Sequence, residues 1–158
     1  MIDPSDVFHI GVRVADLDAA MDELGDSLGV SWAEPRSADA QPIWTPSKGA
    51  HEVQLRYTYS TAGPQHVELL EGQPGSFWDG REMPGTHHMG VWVDDVAAET
   101  GRLTGRGWEL VAAYHSPDEG YGLFAYLRPP SGLIVELVDR AILPHFDAWW
   151  AAASARRM

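Results

Sequence analysis

The sequence predicts an α+β fold built from two copies of one β-α-β-β-β unit, paired so that their sheets line a cleft. Residues 9–20 (HIGVRVADLDAA) and 88–99 (HMGVWVDDVAAE) are identical at six of twelve positions, whereas unrelated segments of this length share about one. A second similarity follows in the same order, because residues 67–71 read VELLE and residues 135–139 read VELVD. Two similarities in one order indicate an internal duplication of a supersecondary unit.

The duplication divides the chain into three parts. We predict the first unit over residues 5–72 and the second over residues 86–140, with the Gly- and Pro-rich segment 72–85 as the linker. Residues 141–158 are predicted to form a C-terminal helix that packs on the body or on a partner chain. Three aromatic residues recur at helical spacing in this segment: Phe146, Trp149 and Trp150.

Each unit is predicted to begin with a strand and a helix. Apolar residues alternate with other residues over 7–14, which is typical of a half-buried strand. Asp16 is a suitable helix N-cap, and apolar residues then recur at helical spacing as far as Gly29. The second unit repeats this pattern with a strand over 87–93 and a helix over 95–106.

Three further strands are predicted to complete each unit. In the first unit they lie near 30–34, 51–59 and 65–71, and in the second near 108–115, 121–128 and 133–139. The segment 34–50 contains three prolines and is predicted as a long loop, either a functional lid or a disordered segment.

Composition excludes several classes of function. The 158 residues contain no Cys, which removes disulfides, thiolate metal sites and Cys nucleophiles. The formal net charge of −12 opposes binding to nucleic acid. No apolar run is long enough to span a membrane, and the N-terminus lacks the features of a signal peptide. We therefore expect a cytoplasmic protein whose partner is a small molecule.

Strand alternation places four metal-ligating side chains on corresponding faces of the two units. His9 and His88 lie opposite the apolar faces of their strands, and Glu68 and Glu136 are each flanked by apolar neighbours in mid-strand. If the units pair about a pseudo-twofold axis, these two imidazoles and two carboxylates converge. Such a donor set suits Zn, Ni, Co, Mn or Fe(II). Taken singly, each residue is more often an ordinary strand histidine or surface glutamate, so the prediction depends on the symmetry.

These motifs resemble the vicinal oxygen chelate superfamily, which includes glyoxalase I, methylmalonyl-CoA epimerase, extradiol dioxygenases, and the fosfomycin and bleomycin resistance proteins. The resemblance covers about residues 5–140, and it also includes LGV (28–30), HHMGVWVDDV (87–96) and the run 122–139, which contains Gly122 and ends in YLRPPSGLIVELVD. It implies a glyoxalase-like fold with a metal ion in the cleft. The family's ligand positions coincide with the four residues that alternation selects: His9, Glu68, His88 and Glu136.

Members of the superfamily differ at these positions. Bacterial glyoxalase I has the His, Glu, His, Glu set found here, whereas the epimerase is similar but has Gln where Glu68 stands. The dioxygenases and the fosfomycin-modifying enzymes resemble three-ligand sites, which would leave Glu68 out, and the bleomycin-binding proteins lack the ligands. Arg13 matches an Arg that contacts glutathione in glyoxalase I, or else is a charge at the rim of the cleft. Residues 68–72 lack the Asn that helps to hold glutathione.

The aromatic residues bear on the substrate. They are frequent on the predicted strands and loops, and a wide aromatic cleft would suit a bulky, apolar, oxygen-bearing ligand. Trp92 shares the face of His88 by alternation. Arg13 and Trp92 are therefore the candidate substrate-binding residues.

The resemblance implies a metal-dependent isomerase or lyase. The ion would stabilise the enolate of a carbonyl substrate chelated through vicinal oxygens, and Glu68 or Glu136 would move the proton. An Fe(II)-dependent ring-cleaving dioxygenase and a binding or resistance protein without turnover are the alternatives. No phosphate-binding loop or dinucleotide fingerprint is present, so ATP and NAD are not expected. The sequence leaves open whether the units pair within one chain or across a homodimer.

Overall fold

The structure, a computed structural model, describes residues 1–155. Within them eight strands and three α-helices follow one another along the chain, in agreement with the predicted α+β class. Their order is β1 (Val7–Arg13), α1 (Leu17–Leu28), β2 (Arg36–Thr45), β3 (Gly49–Tyr59), β4 (His66–Gly72), β5 (Gly85–Val93), α2 (Val96–Thr104), β6 (Glu109–Ala113), β7 (Phe124–Arg128), β8 (Val135–Asp139) and α3 (Leu143–Ala155). None of the helices within residues 1–155 is both long and apolar enough to cross a membrane.

The strands close into one barrel in the order β1-β4-β3-β2-β6-β7-β8-β5. The order β-α-β-β-β therefore occurs twice, and the first strand of each half pairs in parallel with the last strand of that half, β1 with β4 and β5 with β8. The halves meet through the antiparallel pair β1–β5. On the opposite side they are joined by a single residue pair, Trp44 of β2 with Ala113 of β6. One chain thus forms both walls of the cleft.

The two long crossover helices begin with the same cap. The Asp16 side chain accepts a hydrogen bond from the backbone N–H of Ala19 at the start of α1, and Asp95 accepts one from Ala98 at the start of α2. Each cap satisfies a backbone donor that the helix itself leaves without a partner. Gly29 ends α1 with a φ of 70°, a left-handed conformation that glycine adopts without strain.

The prediction of a long loop over 34–50 is wrong. Most of this segment lies in β2 and β3, which are joined by the turn at residues 46–48. The prolines suggested a loop because proline lacks a backbone donor. However, β2 pairs extensively with β3 and only once with β6, and a strand with one sparsely paired side tolerates Pro42.

Two other predictions about the strands are also wrong. Residues 30–34 form no strand and contribute only an isolated bridge between Trp32 and Ser60. In β1, a bulge between Val7 and His9 places Phe8 beside His9, with ring centroids 4.3 Å apart, rather than on the opposite face. An extra residue in one strand interrupts the alternation on which the prediction rested.

The C-terminal helix packs on the body of the same chain. Trp149 and Trp150 of α3 are buried among aromatic residues of the barrel, including Phe8, Tyr59 and Trp92. The indole Nε1 of Trp149 also donates a hydrogen bond of 2.9 Å to the backbone carbonyl of Glu34. The predicted helix extended to residue 158, and residues 156–158 lie outside the described part of the chain.

Candidate metal centre

Four side chains meet inside the barrel, one from each of the strands β1, β4, β5 and β8: His9, Glu68, His88 and Glu136. The Nε2 atoms of His9 and His88 lie 2.9 Å apart. Each of these atoms lies 3.1–3.2 Å from Oε2 of Glu68 and from Oε2 of Glu136. Both histidines are fully buried, and the glutamates are 5% and 7% exposed. The structure thus brings together all four of the ligand residues expected from the sequence.

Two glycines make room for the imidazoles. The register of β1 and β5 places Gly11 opposite His88 and His9 opposite Gly90. A Cβ atom on Gly11 would overlap the ring of His88, and a Cβ atom on Gly90 would overlap the ring of His9. Gly11 and Gly90 occupy equivalent positions in the two copies of the duplicated segment. The repeated His-x-Gly pattern is therefore a reciprocal packing device, in which each half makes room for the other half's histidine.

Replacing Gly90 with alanine is expected to displace the His9 ring and to lower the affinity of the protein for a divalent ion by about tenfold or more. Overpacking of this buried contact should also destabilise the fold by about 1–3 kcal/mol. Competition against a chromogenic chelator measures the affinity, and thermal unfolding measures the stability. Gly101→Ala is the matched control, because beyond the neighbouring backbone of its own helix no atom lies within 4 Å of its added Cβ. Unchanged ion affinity in Gly90→Ala would show that the His9 ring does not contribute a ligand.

The cluster is electrostatically suited to a cation. Burial disfavours the charged form of His9, but the carboxylates of Glu68 and Glu136 outweigh burial and raise its pKa to about 9. Burial likewise opposes the ionisation of Glu68, yet the charges and polar contacts of His9 and His88 together outweigh it and lower the carboxyl pKa. The pKa of Glu136 is also lowered, because its contacts with His88 and His9 outweigh burial. Two buried carboxylates therefore favour positive charge at their centre.

The residues fit a bound metal ion. Ligand atoms about 2.0–2.2 Å from one ion lie no more than about 4.4 Å apart, and the 2.9–3.2 Å separations in the cluster meet this condition. Oε2 of Glu68 lies 3.1–3.2 Å from both imidazole Nε2 atoms but forms no well-directed hydrogen bond within the described chain. Coordination of a cation would give this buried oxygen the directed contact that it lacks.

A tyrosine side chain contacts each of the two carboxylates. Tyr59 of β3 is paired with Glu68 of β4, and Tyr126 of β7 is paired with Glu136 of β8. Each side chain contacts the carboxylate of its partner. Burial and the carboxylates raise the pKa of both hydroxyls well above the ordinary value, so both stay protonated and can donate. Trp78 Nε1 donates to the Tyr126 oxygen at 3.2 Å, which orients that hydroxyl.

One further histidine supports the cluster. Nδ1 of His87 lies 3.0 Å from Nδ1 of His88. Burial, with the charges of His88 and Arg13, lowers the His87 pKa to about 3, so its ring is neutral and can accept this hydrogen bond. A hydrogen bond at Nδ1 leaves Nε2 of His88 free to face the cluster.

The cluster opens onto a cavity of about 290 Å³. Glu68 and Glu136, both buried, form part of its lining, so their carboxylates lie at its floor. The walls are mostly apolar, and seven aromatic residues contribute to them: Tyr57, Tyr59, Trp78, Tyr114, Phe124, Tyr126 and Phe146. A chelating floor under aromatic walls can hold an apolar ligand that has oxygen atoms at one end.

The two candidate substrate-binding residues do not line this cavity. Arg13 donates from Nη1 to the backbone carbonyl of Phe77 at 3.2 Å and borders a separate surface pocket beside α1. Trp92 stacks on Phe8, with ring centroids 3.8 Å apart, and packs in the core beneath α3. Trp92 lies on the same face of β5 as His88, as expected. However, the C-terminal helix α3 covers this end of the strand, so Trp92 contacts protein rather than the cavity.

The sequence predicted an aromatic cleft but indicated no individual role for the two tyrosines or Trp78. It indicated none for His87, or for Arg36, which also lines the cavity. The alternation of β3 and β7 could have indicated the two tyrosines, because they occupy corresponding strands of the two halves. Trp78 comes from the linker and Arg36 from the segment predicted as a loop, so strand periodicity gave no signal for them.

Known proteins share this fold. A family model described as Glyoxalase/Bleomycin resistance protein/Dioxygenase superfamily matches residues 8–126. A hypothetical protein from Bacillus halodurans C-125 is 18% identical with a TM-score of 0.62, covering 85% of this chain and 93% of that one. Methylmalonyl-CoA epimerase from Mycobacterium tuberculosis is 22% identical with a TM-score of 0.58, covering 88% and 92%. A variant of the Streptomyces coelicolor epimerase, in complex with 2-nitronate-propionyl-CoA, is 23% identical with a TM-score of 0.60, covering 86% and 94%. No curated protein matches the chain.

Proposed function

Because the chain belongs to the glyoxalase/bleomycin resistance protein/dioxygenase superfamily, we propose that it is a metal-dependent isomerase or lyase. Its reaction moves the proton next to a carbonyl group of a bulky, largely apolar substrate. One observation carries the proposal: both carboxylates, Glu68 and Glu136, belong to the cluster and line the cavity at the same time. A three-ligand site would not need Glu68 to face the cluster.

The four residues His9, Glu68, His88 and Glu136 would hold the ion, and their donor set suits Zn, Ni, Co, Mn or Fe(II). When bound, a divalent ion supplies Lewis acidity to two adjacent oxygens of a carbonyl substrate and so acidifies the neighbouring C–H group.

The proton is moved by residues of the chain. Glu68 and Glu136 have lowered pKa values and are therefore ionised at neutral pH, so either can accept a proton from a carbon atom held in the cavity. They belong to opposite halves of the barrel, which allows one to take the proton and the other to return one. The hydroxyls of Tyr59 and Tyr126 contact the carboxylates and hold them in place, and the apolar side chains of the cavity would surround the reacting carbon.

Metal analysis tests this proposal against its alternatives. We expect protein purified without added metal to contain about one Zn, Ni, Co or Mn ion per chain and to exchange the C3 protons of 2-oxo-4-phenylbutanoate with D2O. This probe offers two adjacent oxygens and an aromatic body. Bound Fe(II), with oxygen consumption in the presence of a catechol, would instead identify a ring-cleaving dioxygenase. Protein that takes up none of these ions, even when they are supplied, would be a binding protein, and the proposal would be wrong.

A further inference from the structure

The cavity has charge at both ends. Its floor contains the carboxylates of Glu68 and Glu136, and Arg36 is the only lysine or arginine among its described lining residues. Arg36 is exposed to solvent whereas both glutamates are buried. The guanidinium therefore lies at the mouth of the cavity, and the carboxylates lie at its inner end.

Arg36 is held in place by aromatic groups rather than by a carboxylate. Its guanidinium carbon lies 3.8 Å from the centroid of the Trp149 ring, and the group also hydrogen-bonds to the Tyr57 hydroxyl. The Trp149 ring is itself fixed by its 2.9 Å hydrogen bond to the carbonyl of Glu34. Stacking on an aromatic ring orients a guanidinium and leaves its N–H edges available.

The charge of Arg36 is not neutralised within residues 1–155. Five other arginines form ion pairs with carboxylates: Arg56, Arg81, Arg102, Arg128 and Arg140. Arg36 forms no ion pair among the described residues, although the chain has a net charge of −12. An oriented guanidinium without an ion pair, at the mouth of a cavity, is available to an anionic ligand.

The charges of the site indicate what the ligand should carry. The two carboxylates cancel the charge of a divalent ion, so Arg36 leaves the lining with one net positive charge when histidines are counted as neutral. Between the two ends the lining is mostly apolar, with aromatic and aliphatic side chains. This arrangement is complementary to a molecule with two adjacent oxygens at one end, an apolar middle and an anion at the other end.

We propose that the substrate is such an anion, and that the Arg36 guanidinium binds its carboxylate or phosphate group at the cavity mouth while its two adjacent oxygens lie at the His–Glu cluster. The inference rests on the proposed function, because it takes the cluster as the chelating end. It specifies the substrate class further, from a bulky apolar molecule to an apolar molecule with an anionic tail.

Catechols with acidic side chains test the proposal. The probes are 3,4-dihydroxyphenylacetate, 3-(3,4-dihydroxyphenyl)propanoate and 4-(3,4-dihydroxyphenyl)butanoate, each compared with its neutral methyl ester by calorimetric titration of the Zn-loaded protein. We expect at least one acid to bind about fivefold more tightly than its ester, the gain of a single partly exposed ion pair. A catechol phosphonate with the spacer of the tightest-binding acid is then titrated in the same way, and its affinity relative to that acid shows whether a carboxylate or a phosphate-like group is preferred.

Substitution locates the effect. Arg36→Gln should reduce the ratio of acid affinity to ester affinity to about one, whereas Arg106→Gln, an exposed arginine outside the cavity lining, should leave that ratio at its parent value. Equal binding of every acid and its ester, or a preference that persists in Arg36→Gln, would overturn the inference while metal-dependent ester binding still supports the proposed function. If neither acids nor esters bind in a metal-dependent manner, chelation at the cluster is wrong and the inference fails with it.

Discussion

Replacing Glu68 with glutamine is expected to slow exchange of the C3 protons of 2-oxo-4-phenylbutanoate with D2O by about 100-fold or more, the usual effect of losing a general base. The variant should keep its metal ion, because the amide oxygen can still coordinate. Glu68 is suited to this role since its Oε2 lies 3.1–3.2 Å from both imidazoles and its side chain also lines the cavity. Proton NMR measures the exchange rate.

Two companion variants interpret the result. Glu136→Gln, tested in the same way, shows whether the second carboxylate shares the role or carries it alone. Glu52→Gln is the control, because Glu52 is exposed on β3 and lies outside the cluster and the cavity lining. Exchange at the parent rate in Glu68→Gln would remove Glu68 from the mechanism and leave Glu136 as the base.

Removing one of the two imidazoles should lower the affinity of the protein for its metal ion by a similarly large factor. His88→Ala is expected to weaken metal binding by more than about 100-fold. Loss of a residue that only hydrogen-bonds to a metal ligand already lowers metal affinity by about 10- to 100-fold, and His88 would be a ligand itself. The residue is fully buried, and its Nε2 faces His9 and both carboxylates. Competition titration with Zn²⁺ gives the affinity, and circular dichroism checks that the barrel is still formed.

The control for this variant is His115→Ala, because His115 is exposed and outside the cluster. His9→Ala should reproduce the loss, since the two histidines occupy equivalent positions of the two halves. If both single variants bind Zn²⁺ as tightly as the parent, the ion is held elsewhere in the protein.

The cluster could be predicted because it depends on short-range regularities. Side chains alternate along a strand, and the duplication presents the same His and Glu positions twice, so the faces of His9, Glu68, His88 and Glu136 follow from the sequence. What alternation could not give was their separation, which depends on the pairing of β1 with β5 and on the glycines facing the histidines.

The features that escaped prediction depend on contacts between distant parts of the chain. Trp92 has the expected strand position, but whether it meets ligand or protein depends on α3, which comes about 50 residues later and covers it. The bulge at Phe8 is visible only from the partner strand. Arg36 was hidden because prolines suggested a loop where the barrel forms a strand.

Joining both halves in one polypeptide also has an evolutionary consequence. A single ancestral unit could build the same His–Glu arrangement only by dimerising, and every substitution would then appear on both walls of its cavity. After duplication and fusion, each wall can diverge without altering the other. Arg36 illustrates such divergence, because β2 contributes a cation to the lining whereas the equivalent β6 contributes none among the described residues. The paired His and Glu positions can therefore stay the same in both halves while the lining of the cavity changes on one side alone.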